Sequence, residues 1–391
     1  MIALRFITFA VLAGLAVSAA PPAWAEEQIN EVKIIGIEAG HKDNFYLKTT
    51  DNTFRLDIYG YGQFRYTYQT NDITGKEDNS NFQVQRVRLG FKGYAYSEKL
   101  KYQFLLSASQ SSEYDKVSLL DGFVDYAPVK EFGIQAGQFK VPYSTSWAIS
   151  ASQLQFVDRT QVDANFRLDR DNGLNLHGSC WNSMLTYNLG AYNGEGRNKT
   201  NPDNGMLYSA RLVLEPFGKY AHHESDNEMT EKPTILVSAA YAASTTQKAS
   251  TNTNLSSRLA TSGLGVSDVT GYDGFIGAKY KGASMHSEYF NRVIDPQKPG
   301  VSNETAEGYY VQGGYFVTPK TVEVAARYEY FDPNKDAGSD LRQEYGLGVN
   351  YFINGHRNKV QADFFKIRDE AGKTKNGEED NRLRVQYQLA F

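Results

Sequence analysis

Eight basic residues fall at alternating positions in four stretches of this chain: Arg55 and Arg65, then Arg86, Arg88 and Lys92, then Lys101, and finally Arg382 and Arg384. Residues two apart on an extended chain point to the same side. Each stretch therefore turns its cations one way and its apolar residues the other. Planar guanidinium forks match the oxygens of carboxylates and phosphates, and an aligned row of cations in a narrow, low-dielectric passage concentrates anions. Capture and passage of small anionic solutes is the chemistry such a wall supports. The plainer alternative is a set of solvated charges that only keeps an interior wet.

Other chemistries find little support. His177 shares a face with Asn175, and serine-rich stretches occur at 107–112 and 144–152. A hydrolytic site would need Ser, His and an orienting acid or amide at one point. The six histidines are scattered, so no catalysis is expected. His222-His223-Glu224 has metal-ligating side chains but reads as a charged, solvated turn, and no metal or cofactor is expected. A single Cys180 excludes an intramolecular disulfide and most cysteine metal sites. The net charge of −4, or −5 without Arg5, offers no bulk polycation for nucleic acid.

The elements that would carry the cations are strands. The last eleven residues alternate fully, with Leu383, Val385, Tyr387, Leu389 and Phe391 opposite Arg382, Arg384, Gln386 and Gln388. Strands of this kind are expected at 54–70, 82–94, 99–109, 118–127, 132–140, 172–180, 183–192, 206–215, 233–243, 270–280, 282–292, 307–317, 320–331, 342–352, 356–367 and 381–391. Their connections run long, short, long, short. Ala95–Glu98, Pro128–Glu131, Trp181-Asn182, Lys281, Thr318-Pro319 and Ile353–Gly355 are short, and the polar segments between are longer. The stretch 216–232 breaks the parity. Mean hydropathy is −0.52, yet the chain holds 27 Tyr and 22 Phe, residues suited to strands and membrane interfaces. Residues 1–25 read as a signal peptide, with Arg5, an apolar run and an Ala23-Trp-Ala25 cleavage site.

In lipid an extended chain must close on itself to satisfy its backbone. Sixteen strands enclose a water-filled lumen, with short turns on the periplasmic side and longer loops outside. The expected fold is therefore all-β, a sixteen-stranded antiparallel transmembrane barrel over 54–391 in the bacterial outer membrane, with lipid against its apolar face. A barrel sleeve housing a partner protein and a non-selective channel are the alternatives. Residues 26–53 would be a periplasmic lead-in or a plug.

Several segments resemble the phosphate-selective porin O and P family: Asn44-Phe-Tyr-Leu-Lys-Thr, Phe54-Arg-Leu-Asp-Ile-Tyr-Gly60, Gln85-Arg-Val-Arg-Leu-Gly-Phe-Lys-Gly93, Leu120-Asp-Gly-Phe-Val-Asp-Tyr126 and Gly137-Gln-Phe-Lys-Val-Pro142. Phe156-Val-Asp-Arg159 and Arg170-Asp-Asn-Gly173 follow in the same order. The resemblance covers most of residues 40–180. It implies a channel, usually a homotrimer, narrowed by loops and lined by basic residues that hold anions such as phosphate. Where some relatives carry an arginine pair this chain reads Arg86-Val87-Arg88, and it has no dense lysine run. Phe391 looks like the assembly signal common to porins.

The stretch 141–171 holds the place of the third outer loop, which in general porins folds inward. It begins Val141-Pro142 and carries Asp158, Arg159, Asp163, Arg167, Asp169, Arg170 and Asp171. Its apolar residues Trp147, Ile149, Leu154, Phe156, Val157 and Phe166 suit burial, so an inward-folded constriction loop is expected.

Overall fold

The computed structural model describes residues 36–41, 44–108, 117–201, 204–246, 267–372 and 378–391. The expected signal peptide and residues 26–35 of the segment after it lie outside them. The described chain from Ile37 onward forms one unit. A short hairpin comes first, β1 (Ile37–His41) and β2 (Phe45–Thr49). The wall follows: β3 (Phe54–Gln69), β4 (Asn79–Ala95), β5 (Ser97–Ala108), β6 (Ser118–Val129), β7 (Phe132–Lys140), β8 (Arg170–Cys180), β9 (Leu185–Tyr192), β10 (Leu207–Leu214), β11 (Thr234–Thr246), β12 (Ser267–Tyr280), β13 (Ala283–Pro296), β14 (Glu304–Thr318), β15 (Val322–Asp332), β16 (Arg342–Asn354), β17 (Asn358–Asp369) and β18 (Asp380–Ala390). Two short helices, α1 (Thr145–Ala148) and α2 (Gln161–Phe166), lie in the connection between β7 and β8.

Strands β3 to β18 each pair antiparallel with the next, and β18 returns to β3. All sixteen expected strands are present in a closed barrel. Their alternation is inverted relative to a soluble sheet. On β16 Leu347, Val349 and Tyr351 are 65%, 50% and 50% exposed, while Glu344 and Asn350 are buried. Such a wall is stable only if its outside meets lipid.

A β-bulge places the basic face of β4. Gln63 pairs with Arg86 but Phe64 pairs with Val84, leaving Gln85 unopposed. The extra residue switches parity. Phe82 and Val84 then join Phe64, Tyr66 and Val385 on the outside, while Arg86 and Arg88 face inward. Unbulged pairing would put Phe82 and Val84 in the lumen.

The barrel closes at a two-part seam. One edge of β3 pairs with β18 from Tyr61 to Gln69 and with β2 from Arg55 to Ile58. The 37–49 segment is therefore an added hairpin in the wall at the short-turn end. Between the two, Phe391 and Gly60 exchange backbone hydrogen bonds, both 3.0 Å. A Cβ on Gly60 would sit 2.6 Å from the Arg88 carbonyl and 2.9 Å from the Phe391 ring.

The irregular 216–232 stretch turns inward. Tyr220, His223, Glu224, Ser225 and Asp226 are buried, which corrects the expectation of a solvated turn. His222 stays half-exposed against Glu215 at 2.9 Å. The Lys279 ammonium donates to the carbonyls of Ala221 (2.8 Å) and Ser225 (3.2 Å), and Ser225 donates to Glu323 at 2.8 Å.

Replacing Gly60 with Val should strain the seam by about 1–3 kcal/mol, as overpacking does. The expected outcome is a lower yield of the folded, heat-modifiable species on unboiled gels. Wild-type yield and heat resistance would show that the close approach at Gly60 is dispensable.

Candidate functional site

The connection between β7 and β8 runs through the lumen. Its helices are capped by their own sequence: Ser144 accepts from the Trp147 amide at 3.0 Å and Thr160 from the Asp163 amide at 2.9 Å. Phe166 of α2 stacks on Phe290 and meets Phe331 edge-on, with ring centroids 5.4 and 5.6 Å apart. All six apolar loop residues singled out from the sequence are buried.

Between the helices the chain is irregular, and side chains of the wall and of the 216–232 turn satisfy its backbone there and at the helix starts. Carboxylates of Glu288, Glu224, Asp363 and Glu329 accept from the amides of Thr145 (2.6 Å), Gln155 (2.7 Å), Val157 (3.0 Å) and Gln161 (2.6 Å). Gln63, Gln388, Lys359, Asn350 and Arg327 donate to the carbonyls of Ala151, Ser152, Leu154, Gln155 and Asp158 at 2.8–3.1 Å. The inward 216–232 turn meets the same segment, its Glu224 amide donating to the Gln153 carbonyl at 3.1 Å. The loop and turn together fill the lumen along β11–β18.

Asp158 is the latch. Its carboxylate accepts from Arg65 (2.6 Å), Arg86 (2.8 Å) and Arg384 (3.2 Å). Arg384 also forks onto Asp363 with two bonds of 2.8 Å, and Arg382 pairs with Glu344 at 2.7 Å. With Arg55 on Asp57, five of the eight expected wall cations are engaged by carboxylates. Burial alone would raise the Asp158 carboxyl, but the Arg86, Arg65 and Arg384 charges overcome it and hold it well below the usual carboxylate range.

The other loop charges surround Trp147. Arg167, Arg159, Lys140 and Arg170 lie 4.1, 4.8, 4.9 and 5.4 Å from its ring centroid. Asp163 is buried, accepting from Ser144 and Ser146, each at 2.9 Å, and from Arg167 at 3.2 Å. The Asp169 carbonyl closes the loop base by accepting from the Val141 amide at 3.0 Å. Arg170 and Asp171, expected in the loop, instead open β8, because the ladder with β7 runs on to Lys140↔Arg170. Arg170 forks onto Asp121 at 2.7 and 3.3 Å. Asp171 accepts from the Gly194 amide at 2.6 Å.

The open part of the lumen lies against β3–β8. Two cavities of about 530 and 340 Å³ share Lys92, Gln103 and Phe123. Their charged lining is Arg55, Arg88, Lys92, Lys101, Lys140 and Arg170 against Asp57, Asp121 and Asp125. Six cations against three carboxylates leave three positive charges in excess. Arg55 is forked onto Asp57 at 2.9 and 2.7 Å. Arg88, Lys92 and Lys101 form no hydrogen bond or ion pair with the described residues. Lys140 was missed as a wall cation, although it is two residues beyond inward-facing Gln138. His177 bonds to Asp125 at 2.9 Å. No three His, Cys, Asp or Glu side chains among the described residues are placed to hold a metal.

Asp158→Asn should leave three guanidiniums without a shared counter-charge. The expected loss is about 2–3 kcal/mol, less than for a fully buried pair because a quarter of the side chain meets water. It is read as a lower thermal transition of the folded species. Because the folded value is depressed, the latch contribution is complete above the unfolded carboxylate value of about 3.9 and disappears only as pH falls through the lower folded value. Acidification to about pH 4 should therefore leave the wild-type loop in place, and proteolysis of the loop on lowering to that pH would contradict it.

A protein from Aquifex aeolicus (strain VF5) is 29% identical over 333 residues, covering 74% of this chain and 76% of its own length. Among solved structures, an anion-selective porin from Comamonas acidovorans aligns with a TM-score of 0.57 at 13% identity, covering 86% of this chain and 99% of the porin. The trimer form of OmpT from Vibrio cholerae aligns with a TM-score of 0.55 at 11% identity, over 86% and 99% of the two chains. These two likenesses are of fold. The family model for phosphate-selective porin O and P matches residues 58–391, nearly the whole barrel. The chain belongs to that family, and it is a porin of the bacterial outer membrane.

Proposed function

We propose that this porin is a passive diffusion channel that prefers small anions, phosphate and other oxyanions among them. Its passage is the lumen beside β3–β8, and the 141–169 loop sets the constriction. The observation that carries the reading is the set Arg88, Lys92 and Lys101, unpaired among the described residues, in a cavity lining with three excess positive charges. Fixed charge of one sign in a narrow passage raises the local concentration of the opposite ion. Passive diffusion requires no catalytic group. The working assembly is proposed to be a homotrimer, supported by the trimer form recorded for the Vibrio cholerae OmpT likeness. A sleeve around a partner protein would need the space that the latched loop and turn occupy.

The purified protein in planar bilayers under a potassium chloride gradient tests this reading. The expected zero-current potential has the sign of chloride permeation. Arg88→Ala should reduce that preference severalfold. Arg86→Ala should change it less, because Arg86 is engaged by Asp158 at 2.8 Å. Cation preference would overturn the basic passage, and no conductance would overturn the channel. Unheated, cross-linked samples should run at three times the monomer mass.

A further inference from the structure

We infer that the passage favours organic anions with a flat apolar body, of the aromatic carboxylate class, over compact inorganic oxyanions. The inference rests on the anion-channel reading and names its solute class. A compact oxyanion gives up its hydration shell only to several converging donors, as arginine forks provide. Of the three arginine forks lining the open lumen two are taken, Arg55 by Asp57 and Arg170 by Asp121, which leaves Arg88 alone.

The cations that remain stand beside aromatic rings. Arg88, Gly90 and Lys92 alternate along the inner face of β4. A Cβ on Gly90 would lie 2.2–2.6 Å from the Cζ, Cε1 and hydroxyl of Tyr59, so the glycine makes room for the tip of the Tyr59 side chain against β4. The Lys92 ammonium is 5.1 Å from its centroid, and the Arg88 guanidinium is 5.5 Å from the Tyr61 ring. Aromatic surface thus lies beside two cations that have no side-chain hydrogen bond or ion pair among the described residues, on Cα positions about 14 Å apart along the strand, four residues at roughly 3.4 Å each. Tyr94, Tyr102, Phe123 and Phe139 complete the walls of the two cavities.

A second observation comes from the hydroxyls. Tyr61 and Tyr94 are 7% and 8% exposed. Their hydroxyls are buried without a hydrogen-bond partner among the described residues, as is the Arg88 Nε. Buried polar groups normally find partners, and all three belong to residues lining the cavities. A planar carboxylate stacked on Tyr59 would supply acceptor oxygens to the Arg88 guanidinium and cover the ring with apolar surface. Inorganic phosphate would supply only the oxygens.

The experiment measures chloride current through single channels while benzoate, cyclohexanecarboxylate, acetate or inorganic phosphate is added at neutral pH. Stacking of about 0.5–1.5 kcal/mol corresponds to a two- to twelvefold gain. Benzoate should reduce the current at concentrations lower by about that factor than acetate or phosphate, with cyclohexanecarboxylate between. Tyr59→Leu should bring benzoate block to the level of acetate. Lys92→Gln should weaken block by every anion together. Equal block by benzoate and acetate, or stronger block by phosphate, would overturn the solute class while anion preference stood. Cation preference or absent conductance would overturn both readings. The comparison among anions in the wild-type channel needs no variant to fold.

Discussion

A strand-free stretch of backbone inside a barrel has no ladder to satisfy it, and each buried amide and carbonyl must find a partner elsewhere. In this porin the partners for residues 144–161 come from the wall. Glu288, Asp363 and Glu329 take amides, Gln63, Asn350, Lys359 and Gln388 serve carbonyls, and Glu224 of the inward turn joins them. Unmet groups of this kind cost on the order of 1–3 kcal/mol each. These bonds hold the loop against the wall, and the inward polar residues of β3, β13 and β15–β18 are the ones that supply them.

The same constraint divides the basic residues into two groups. Where the wall must hold the loop, cations are matched with carboxylates: Arg65, Arg86 and Arg384 on Asp158, and Arg384 again on Asp363. Beyond Arg86, toward the short-turn end of β4 and β5, Arg88, Lys92 and Lys101 form no side-chain hydrogen bond or ion pair with the described residues. Charge of one kind thus serves two ends within one barrel. The engaged group fixes where the free lumen lies, and the free group determines the field a solute meets there.

Much of this was legible in the sequence because it rests on local periods. The sixteen strands follow from period-two alternation. The inward loop follows from Trp147, Leu154, Phe156 and Phe166, which water would not favour. The engagement of the wall was not legible, since Asp158 lies 72 residues from Arg86 and 226 from Arg384. No local pattern announces such a pairing. The bulge at Gln85 was hidden for the opposite reason, because one unopposed residue leaves both halves of β4 alternating normally. The 216–232 turn was misjudged because its charges looked solvated, whereas Glu224 and Ser225 meet partners contributed by the loop and by Glu323.

That turn completes the asymmetry of the lumen. The loop and the turn enter from opposite ends of the barrel, and they meet where the Glu224 amide reaches the Gln153 carbonyl and Glu323 accepts from both Gln155 and Ser225. A loop held from one side alone would leave its tip free to swing across the lumen. Gripped from both ends, it leaves the open cavities against β3–β8. There β4 presents Arg88, Gly90 and Lys92 in succession, so the alternation that first marked the chain's cations also sets the spacing of charge and aromatic surface along which a solute would move.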